Sequence, residues 1–399
     1  MAHRRKSRSP HRLIGTLVEK HYCRLTILTS FTMIWPFRRR DSNTPSPPLC
    51  SRPAQLRIES LEDRSVPAVV VSATGTNFFP NPFGGGPFFP FDNFTGTVRS
   101  ASGDVNGDGV ADIITAQGVG SGSASRIRIF DGASSRFQSR AVVIADFYAY
   151  SNVPDASQTP GFAGGVFVAS ADLNGDGFAE VITSPGVGAS GHLKVFNFNN
   201  GAGGFLGSAP SLRASFFAYP GFLGEIRVAT LDPGSSQLPL LVTASGAGTT
   251  QSDIRLYTNA FNIGSVASDT LVVPVVQMFP YPGYLGGVSI AGGNAGRLFV
   301  SPNVGQAQVT EFDLNAPVGG PMTLSPGVTL STGFNSPSDA RLGVADVNGD
   351  SVPDVLTSSI GKNATGAISV FSLSTDTLSP LTGLVGFQGF GFFGDSWVG

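Results

Sequence analysis

Three segments of the sequence carry side-chain oxygens at one repeated spacing. They are Asp104–Asp112, Asp172–Glu180 and Asp346–Asp354, and each begins with Asp-x-Asn-Gly-Asp. Side chains at positions 1, 3 and 5, a backbone carbonyl at position 7 and a carboxylate at position 9 supply the oxygen donors that a hard cation needs. The spacing predicts three metal sites with the ligands Asp104, Asn106, Asp108, Val110, Asp112, Asp172, Asn174, Asp176, Phe178, Glu180, Asp346, Asn348, Asp350, Val352 and Asp354.

Calcium is the cation that these loops favour. It accepts about six to eight oxygens in a flexible arrangement, whereas magnesium needs a stricter octahedron and retains more water. The three loops differ in detail: Glu180 has a longer arm than aspartate, and Ser351 replaces the glycine that allows a positive φ at position 6. That serine should strain its loop by about 1 kcal/mol. The expected cofactor is Ca2+, at about three sites.

The loops allow two other interpretations. An EF-hand, dockerin modules included, needs a carboxylate at position 12 and flanking helices. Here position 12 is Thr115, Thr183 or Thr357, each inside an apolar run that suits a β-strand. Alternatively, Asn-Gly and Asp-Gly form metal-free hairpin turns, but such turns do not require a carboxylate at position 9 in all three loops.

The elements that position these loops recur along the chain. The segments ending at Asp172, Asp232 and Asn294 resemble one another, and weaker copies end at Asp104 and Asp346. These five anchors are 68, 60, 62 and 52 residues apart, and repeats of this kind indicate stacked units. The third repeat keeps only Asp232 of the ligand pattern and the fourth keeps only Asn294, so we expect both to have lost the ion.

Each repeat contains four short alternating or apolar segments, which predicts a four-stranded antiparallel blade. Blades starting near residues 96, 164, 224, 286 and 340 predict an all-β fold, a β-propeller that occupies 68–399. The last residues, 391–399, copy the entry to a blade, and Val69–Ser72 could pair with them. The sequence leaves open five closed blades or five with a sixth built from both termini. The segments Tyr219–Phe222 and Tyr281–Tyr284 favour packing between blades over a sugar-stacking surface.

The loops, strands and Gly-rich turns over 96–388 resemble the FG-GAP family, also called VCBS-type repeats. That family is known from integrin α-subunit propellers and many bacterial surface proteins. The resemblance implies a propeller with calcium on one rim, an extracellular location and a role in adhesion. The expected partner is an extracellular protein or a glycan. A structural cell-envelope scaffold without a specific ligand is the alternative, and a polysaccharide-active enzyme is less favoured.

Residues 1–67 form a basic leader that we expect to be largely disordered. It holds 13 of the 25 Lys and Arg residues and both cysteines, Cys23 and Cys50. Its apolar stretch Leu25–Trp35 is too short to span a bilayer. The segment Arg57–Ala68 resembles an export-associated segment that precedes many bacterial surface proteins, which predicts a secreted or cell-surface location. Either Met1 or Met33 could be the start.

The composition from residue 68 onwards argues against several classes of function. Twelve basic residues against 22 acidic ones make nucleic acid a poor partner. The only histidine there is His192, and cysteine is absent, so nucleophile–base pairs are hard to build. We therefore expect a binding protein rather than an enzyme, monomeric and without a transmembrane segment.

Overall fold

The fold comes from a computed structural model of the chain. It describes residues 71–73, 89–134, 141–150, 161–234, 237–248, 251–258, 272–305, 308–317, 319–331, 339–345, 354–360, 368–372, 379–380 and 396–398. All of these lie in one compact unit, Leu61–Gly399. The predicted leader and its export-associated segment lie outside the described residues.

Strands follow one another in the order that the repeats predict. A short strand β1 (Val71–Ala73) precedes the blades. Blade one contains β2 (Thr95–Gly103), β3 (Asp112–Ser121), β4 (Arg126–Phe130) and β5 (Val143–Tyr148). Blade two contains β6 (Val166–Ala171), β7 (Glu180–Pro185), β8 (His192–Asn197) and β9 (Ser211–Phe217). Blade three contains β10 (Ile226–Leu231), β11 (Leu240–Ser245), β12 (Ile254–Tyr257) and β13 (Val276–Met278).

The remaining strands complete the ring. Blade four contains β14 (Val288–Gly292), β15 (Arg297–Pro302), β16 (Gln308–Asn315) and β17 (Thr323–Ser331). Blade five contains β18 (Asp339–Ala345), β19 (Asp354–Ile360), β20 (Ile368–Ser372) and β21 (Ser379–Pro380), and β22 (Ser396–Val398) follows it. Within each blade, consecutive strands pair antiparallel. The protein is therefore a five-bladed β-propeller, and the predicted all-β fold is confirmed.

The two ends of the chain pair with each other, as the sequence suggested. Val71 lies opposite Val398 in the antiparallel sheet of β1 and β22. Strand β22 contacts β18 and β19 of blade five, while β1 contacts β2 of blade one. In the described part of the chain this sheet has two strands, so the termini join the last blade to the first without showing a sixth four-stranded blade.

Each successive pair of blades, from blade one to blade five, buries one apolar cluster, because side chains alternate between the two faces of a strand. On β7, Val181 packs towards blade one and Ile182 towards blade three. On β11, Leu241 packs towards blade two and Val242 towards blade four. Blades two and three are thus apolar on both faces, which explains the continuous apolar runs in their second strands.

Buried or half-buried tyrosines join successive blades at equivalent positions. The Tyr150 hydroxyl donates to the backbone oxygen of His192 in blade two at 2.8 Å. The Tyr219 hydroxyl lies 3.1 Å from the Thr243 hydroxyl in blade three, and that of Tyr281 donates to the Val300 carbonyl in blade four at 3.1 Å. The interpretation of Tyr219 and Tyr281 as inter-blade packing residues is confirmed.

Gly287 combines a left-handed backbone with close approach to the backbone of the neighbouring blade. Its φ is +75°, it bridges Gly246 of blade three, and a Cβ there would collide with the backbone of Gly246 and Ala247. We expect Gly287→Ala to cost about 1–3 kcal/mol beyond the 1–2 kcal/mol, roughly, of left-handed strain. The matched control is Gly221→Ala, which has φ +77° and open space around its Cβ. Thermal unfolding of both variants tests the packing, and equal losses would contradict it.

Candidate functional site: the Asp-x-Asn-Gly-Asp loops

The first two predicted loops lie at equivalent places in their blades. Each connects the innermost strand to the second strand, and position 9 is the first residue of that second strand, Asp112 in β3 and Glu180 in β7. The loops also touch: the Asp104 carbonyl accepts a hydrogen bond from the Ala179 amide at 2.6 Å, and Phe178 packs against Gly107. Neighbouring blades are therefore joined at their loops as well as through their cores.

The position-1 carboxylate organises each loop. Asp104 accepts the amides of positions 4, 5 and 6 at 2.7, 3.1 and 2.7 Å. Asp172 accepts the same three amides at 2.6, 3.2 and 2.9 Å. The chain can present these amides because the glycines at positions 4 and 6 have φ of 75° and 82° in the first loop and 77° and 83° in the second. A side chain would be strained there.

The side chains at positions 3 and 5 each accept the backbone amide two residues further along the chain. The asparagine side-chain oxygen accepts the amide of position 5, at 3.0 Å from Asn106 and 2.8 Å from Asn174. The position-5 carboxylate accepts the amide of position 7, at 2.8 Å from Asp108 and 2.9 Å from Asp176. The two loops therefore share one conformation, set by the spacing of their polar side chains.

The position-9 carboxylate lies beneath its loop and is fully buried in both cases. Asp112 accepts the Val105 amide at 3.0 Å and the Gly132 amide at 2.9 Å. Glu180 accepts the Leu173 amide at 2.8 Å, which is the equivalent position-2 contact, and its longer arm also reaches the Asn174 side-chain amide. Glutamate thus keeps the contact that aspartate makes and adds one inside the loop.

Burial makes these two carboxylates hard to ionise. It raises the pKa of Asp112 to about 7; the Gly132 and Val105 amides oppose the shift, and the charge of Asp108 adds to it. Burial likewise raises the pKa of Glu180 to about 7; the Leu173 amide and the charge of Arg213 oppose the shift, and Asp176 adds to it. A cation near either loop would favour the ionised form.

The donor chemistry of the loops fits calcium, but their carboxylates are not drawn together. A carboxylate oxygen that accepts one amide keeps a second lone pair for a cation. Among the described residues, however, no three carboxylate, histidine or cysteine side chains are close enough to hold a metal ion. The ligands Asp104, Asp108 and Asp112, and their counterparts in the second loop, thus remain predicted ligands that would have to close around the ion.

Most of the third loop falls outside the described residues. This applies to Asp346, Asn348, Asp350 and Val352. Asp354 is the first residue of β19 and is fully buried, as Asp112 and Glu180 are in their strands. The position-9 residue is therefore placed alike in blades one, two and five.

The EF-hand alternative does not fit the strands that follow the loops. Thr115, Thr183 and Thr357 at position 12 are fully buried within β3, β7 and β19. Their hydroxyls donate to backbone oxygens of the adjacent third strand, at 3.0, 3.3 and 3.4 Å. The position-12 threonines therefore form hydrogen bonds within the sheet and do not supply the carboxylate that an EF-hand needs.

Blades three and four keep the backbone contact without the ligand pattern. The Asp232 carbonyl accepts the Gly296 amide of blade four at 2.7 Å, which parallels the bond between Asp104 and Ala179. The Asp232 side chain accepts the Gly234 amide at 2.8 Å. The anchor position thus joins blades whether or not its loop carries the other oxygens.

A ring of residues at the propeller axis was not anticipated from the sequence. Arg99, Phe167, Arg227, Ser289 and Arg341 line a cavity between the five innermost strands. Each precedes its blade anchor by five residues, so the repeat alignment carried the signal. The alternation of the innermost strands indicated only that these positions share one face.

His192 has a structural role in blade two. Its Nε2 lies 2.7 Å from the Ser215 hydroxyl, and its ring stacks on Phe217 at 4.8 Å between centroids. His192 is the first residue of β8, and these contacts fix its ring within blade two.

Comparison with known proteins gives distant structural likenesses. No family model and no curated protein matches the chain. A fucose-specific lectin from Aleuria aurantia is 10% identical with a TM-score of 0.39, over 72% of this chain and 78% of the lectin. A protein from Lactobacillus plantarum is also 10% identical with a TM-score of 0.39, over 79% and 82% of the two chains. Likenesses this distant do not indicate a ligand.

In the described residues, no helix has the length and apolar character to cross a membrane.

The raised pKa values predict how stability depends on pH when calcium is removed. An acid whose pKa is higher in the folded chain stabilises the fold fully below its unfolded pKa of about 4. That stability is lost as the pH rises through about 7, the folded pKa of Asp112 and Glu180. In EDTA, the free energy of unfolding should fall between pH 5 and pH 8.

The variants Asp112→Asn and Glu180→Gln should flatten this dependence, and Asp313→Asn on the exposed part of β16 is the control. Chemical denaturation at several pH values measures the slope. A slope that neither variant changes would contradict the assignment to these two groups.

Proposed function

We propose that this protein is a calcium-stabilised binding module, secreted or held at the cell surface. The observation that carries the proposal is the common structure of the first two loops. Each carries hard oxygen donors at the same spacing, with glycines of positive φ between them and a fully buried carboxylate at position 9. Such a carboxylate is costly to ionise without a partner, and a divalent cation would supply one.

The resemblance of the loops and repeats to FG-GAP or VCBS-type propellers supports the wider role. In that family calcium-loaded propellers serve adhesion, so the proposed partner is an extracellular protein or a glycan. A purely structural envelope scaffold would use the same calcium-stabilised fold. Screening the full chain against glycan and protein arrays separates the two, because a scaffold should bind neither in a saturable manner.

Calcium should raise the thermal stability of the full chain. Binding to the folded state alone stabilises it by about 2.7 kcal/mol when the ion is at a hundred times its dissociation constant. We expect the melting temperature to rise by several degrees in millimolar calcium, to rise less in magnesium, and to return in excess EDTA. An identical melting curve in calcium and in EDTA would rule out stabilisation by the ion.

Single substitutions should remove ions one at a time. Asp108→Ala and Asp176→Ala each delete the position-5 carboxylate, and each should lower the calcium content of the dialysed protein by one ion per chain. Asp313→Ala removes a carboxylate on β16 outside the loops and should leave the content unchanged. Metal analysis by mass spectrometry gives the count, and equal content in all four proteins would refute the ligand assignment.

A further inference from the structure

The cavity at the propeller axis is lined by every innermost strand, and the residue five positions before the anchor contributes in each blade. These residues are Arg99 on β2, Phe167 on β6, Arg227 on β10, Ser289 on β14 and Arg341 on β18. The cavity measures about 80 Å³, several times the roughly 10–15 Å³ that one water needs on the same measure. It is therefore large enough for a group of several atoms.

Three guanidinium groups face this small space. Arg227 donates through Nη1 to the Ser289 hydroxyl and to the Asn303 side-chain oxygen, both at 2.8 Å. Arg341 donates through Nη1 to the same two oxygens at 3.2 and 3.4 Å. Because both side chains converge on shared neutral acceptors, the two positive charges lie side by side.

The third arginine packs against the same aromatic ring as the second. The guanidinium carbon of Arg99 lies 3.5 Å from the centroid of Phe167, and that of Arg227 lies 5.3 Å from it. Both distances are within the range of a cation–π contact. Arg99 also donates to the Val166 carbonyl at 2.8 Å, which fixes its guanidinium at the wall of the cavity.

Negative charge is scarce around these arginines. None of the described residues that line the cavity is acidic, and the carboxylate beside it, Glu225, forms an ion pair with Arg227. Although burial raises the pKa of Glu225, the charges of Arg227 and Arg99 hold it below its ordinary value. The single negative charge of Glu225 thus interacts with both Arg227 and Arg99.

Burying these positive charges close together is electrostatically unfavourable. Burial lowers the pKa of Arg99 to about 9; the charge of Glu225 opposes this shift and that of Arg227 adds to it. In addition, Nε of Arg227 is buried without a hydrogen-bond partner among the described residues. Buried like charges and unsatisfied donors are unfavourable unless an anion offsets them.

We propose that the axial cavity binds an oxyanion group, a phosphate, sulfate or carboxylate, between Arg99, Arg227 and Arg341. The guanidinium fork matches the geometry of such groups. The group could be a free ion or the acidic substituent of a sugar. This site goes beyond the proposed calcium-stabilised module and does not rest on the ion, since its residues are five positions away from the loop anchors.

Titration calorimetry of the full chain tests the proposal at constant ionic strength, both in calcium and in EDTA. The probes are inorganic phosphate, sulfate, glucuronate and neutral glucose. We expect one saturable site for at least one oxyanion and no binding of glucose. Tighter binding of phosphate or sulfate points to a free ion, and tighter binding of glucuronate points to an acidic sugar. If the folded chain binds none of the three anions, the proposal is wrong.

Substitutions locate the binding to the cavity. Arg341→Gln removes one charged donor and should weaken binding about ten- to hundredfold. Glu225→Gln removes the competing carboxylate at nearly constant volume and should tighten binding. Arg297→Gln breaks an ion pair with Glu311 on strands β15 and β16 and should change nothing.

Circular dichroism reports whether each variant is folded. If Arg341→Gln does not fold, Glu225→Gln decides: tighter binding supports the site, and unchanged or weaker binding overturns it. Wild-type affinity in both cavity variants, or equal losses in Arg341→Gln and Arg297→Gln, would place the anion elsewhere and overturn the proposal.

Discussion

Burial of both faces of each four-stranded sheet is the constraint on which this structure depends. Consecutive residues of a strand point to opposite faces, and in the second strands both sets are apolar, as Val181 and Ile182 show. A sheet of this kind cannot leave either face in water, so it must have a neighbour on each side. Radial stacking provides that neighbour, and the paired termini β1 and β22 lie between the last blade and the first.

This arrangement leaves two places for polar chemistry. The innermost strands meet at the axis, where their side chains have no further sheet to pack against, and Arg99, Arg227 and Arg341 lie there. The loops after the same strands lie at the ends of the sheets, where Asp104 and Asp172 bind the backbone amides around them. The hydrogen bond from the Ala179 amide to the Asp104 carbonyl places the first loop in direct contact with blade two.

The sequence predicted most of the fold because its signals are local and repeated. The anchors and the apolar second strands recur in every blade, and Tyr219 and Tyr281 stand at equivalent positions of two blades, so their roles could be inferred without coordinates. The repeats also place Arg99 and Arg341 at equivalent positions of their blades, but that these two side chains line one cavity follows only from closure of the ring. The loop conformation followed from the spacing of Asp104, Asn106 and Asp108, whereas convergence of their oxygens on an ion depends on side-chain rotations that spacing does not determine.

We propose that the loops hold calcium above a buried carboxylate. A crystal structure of the full chain grown in calcium, with anomalous differences recorded at long wavelength, tests this most directly. We expect one anomalous peak inside the loop of Asp104 and Asp112 and another inside the loop of Asp172 and Glu180, each with about six to eight oxygens around it. Loops with the same amide contacts and no anomalous peak would contradict it.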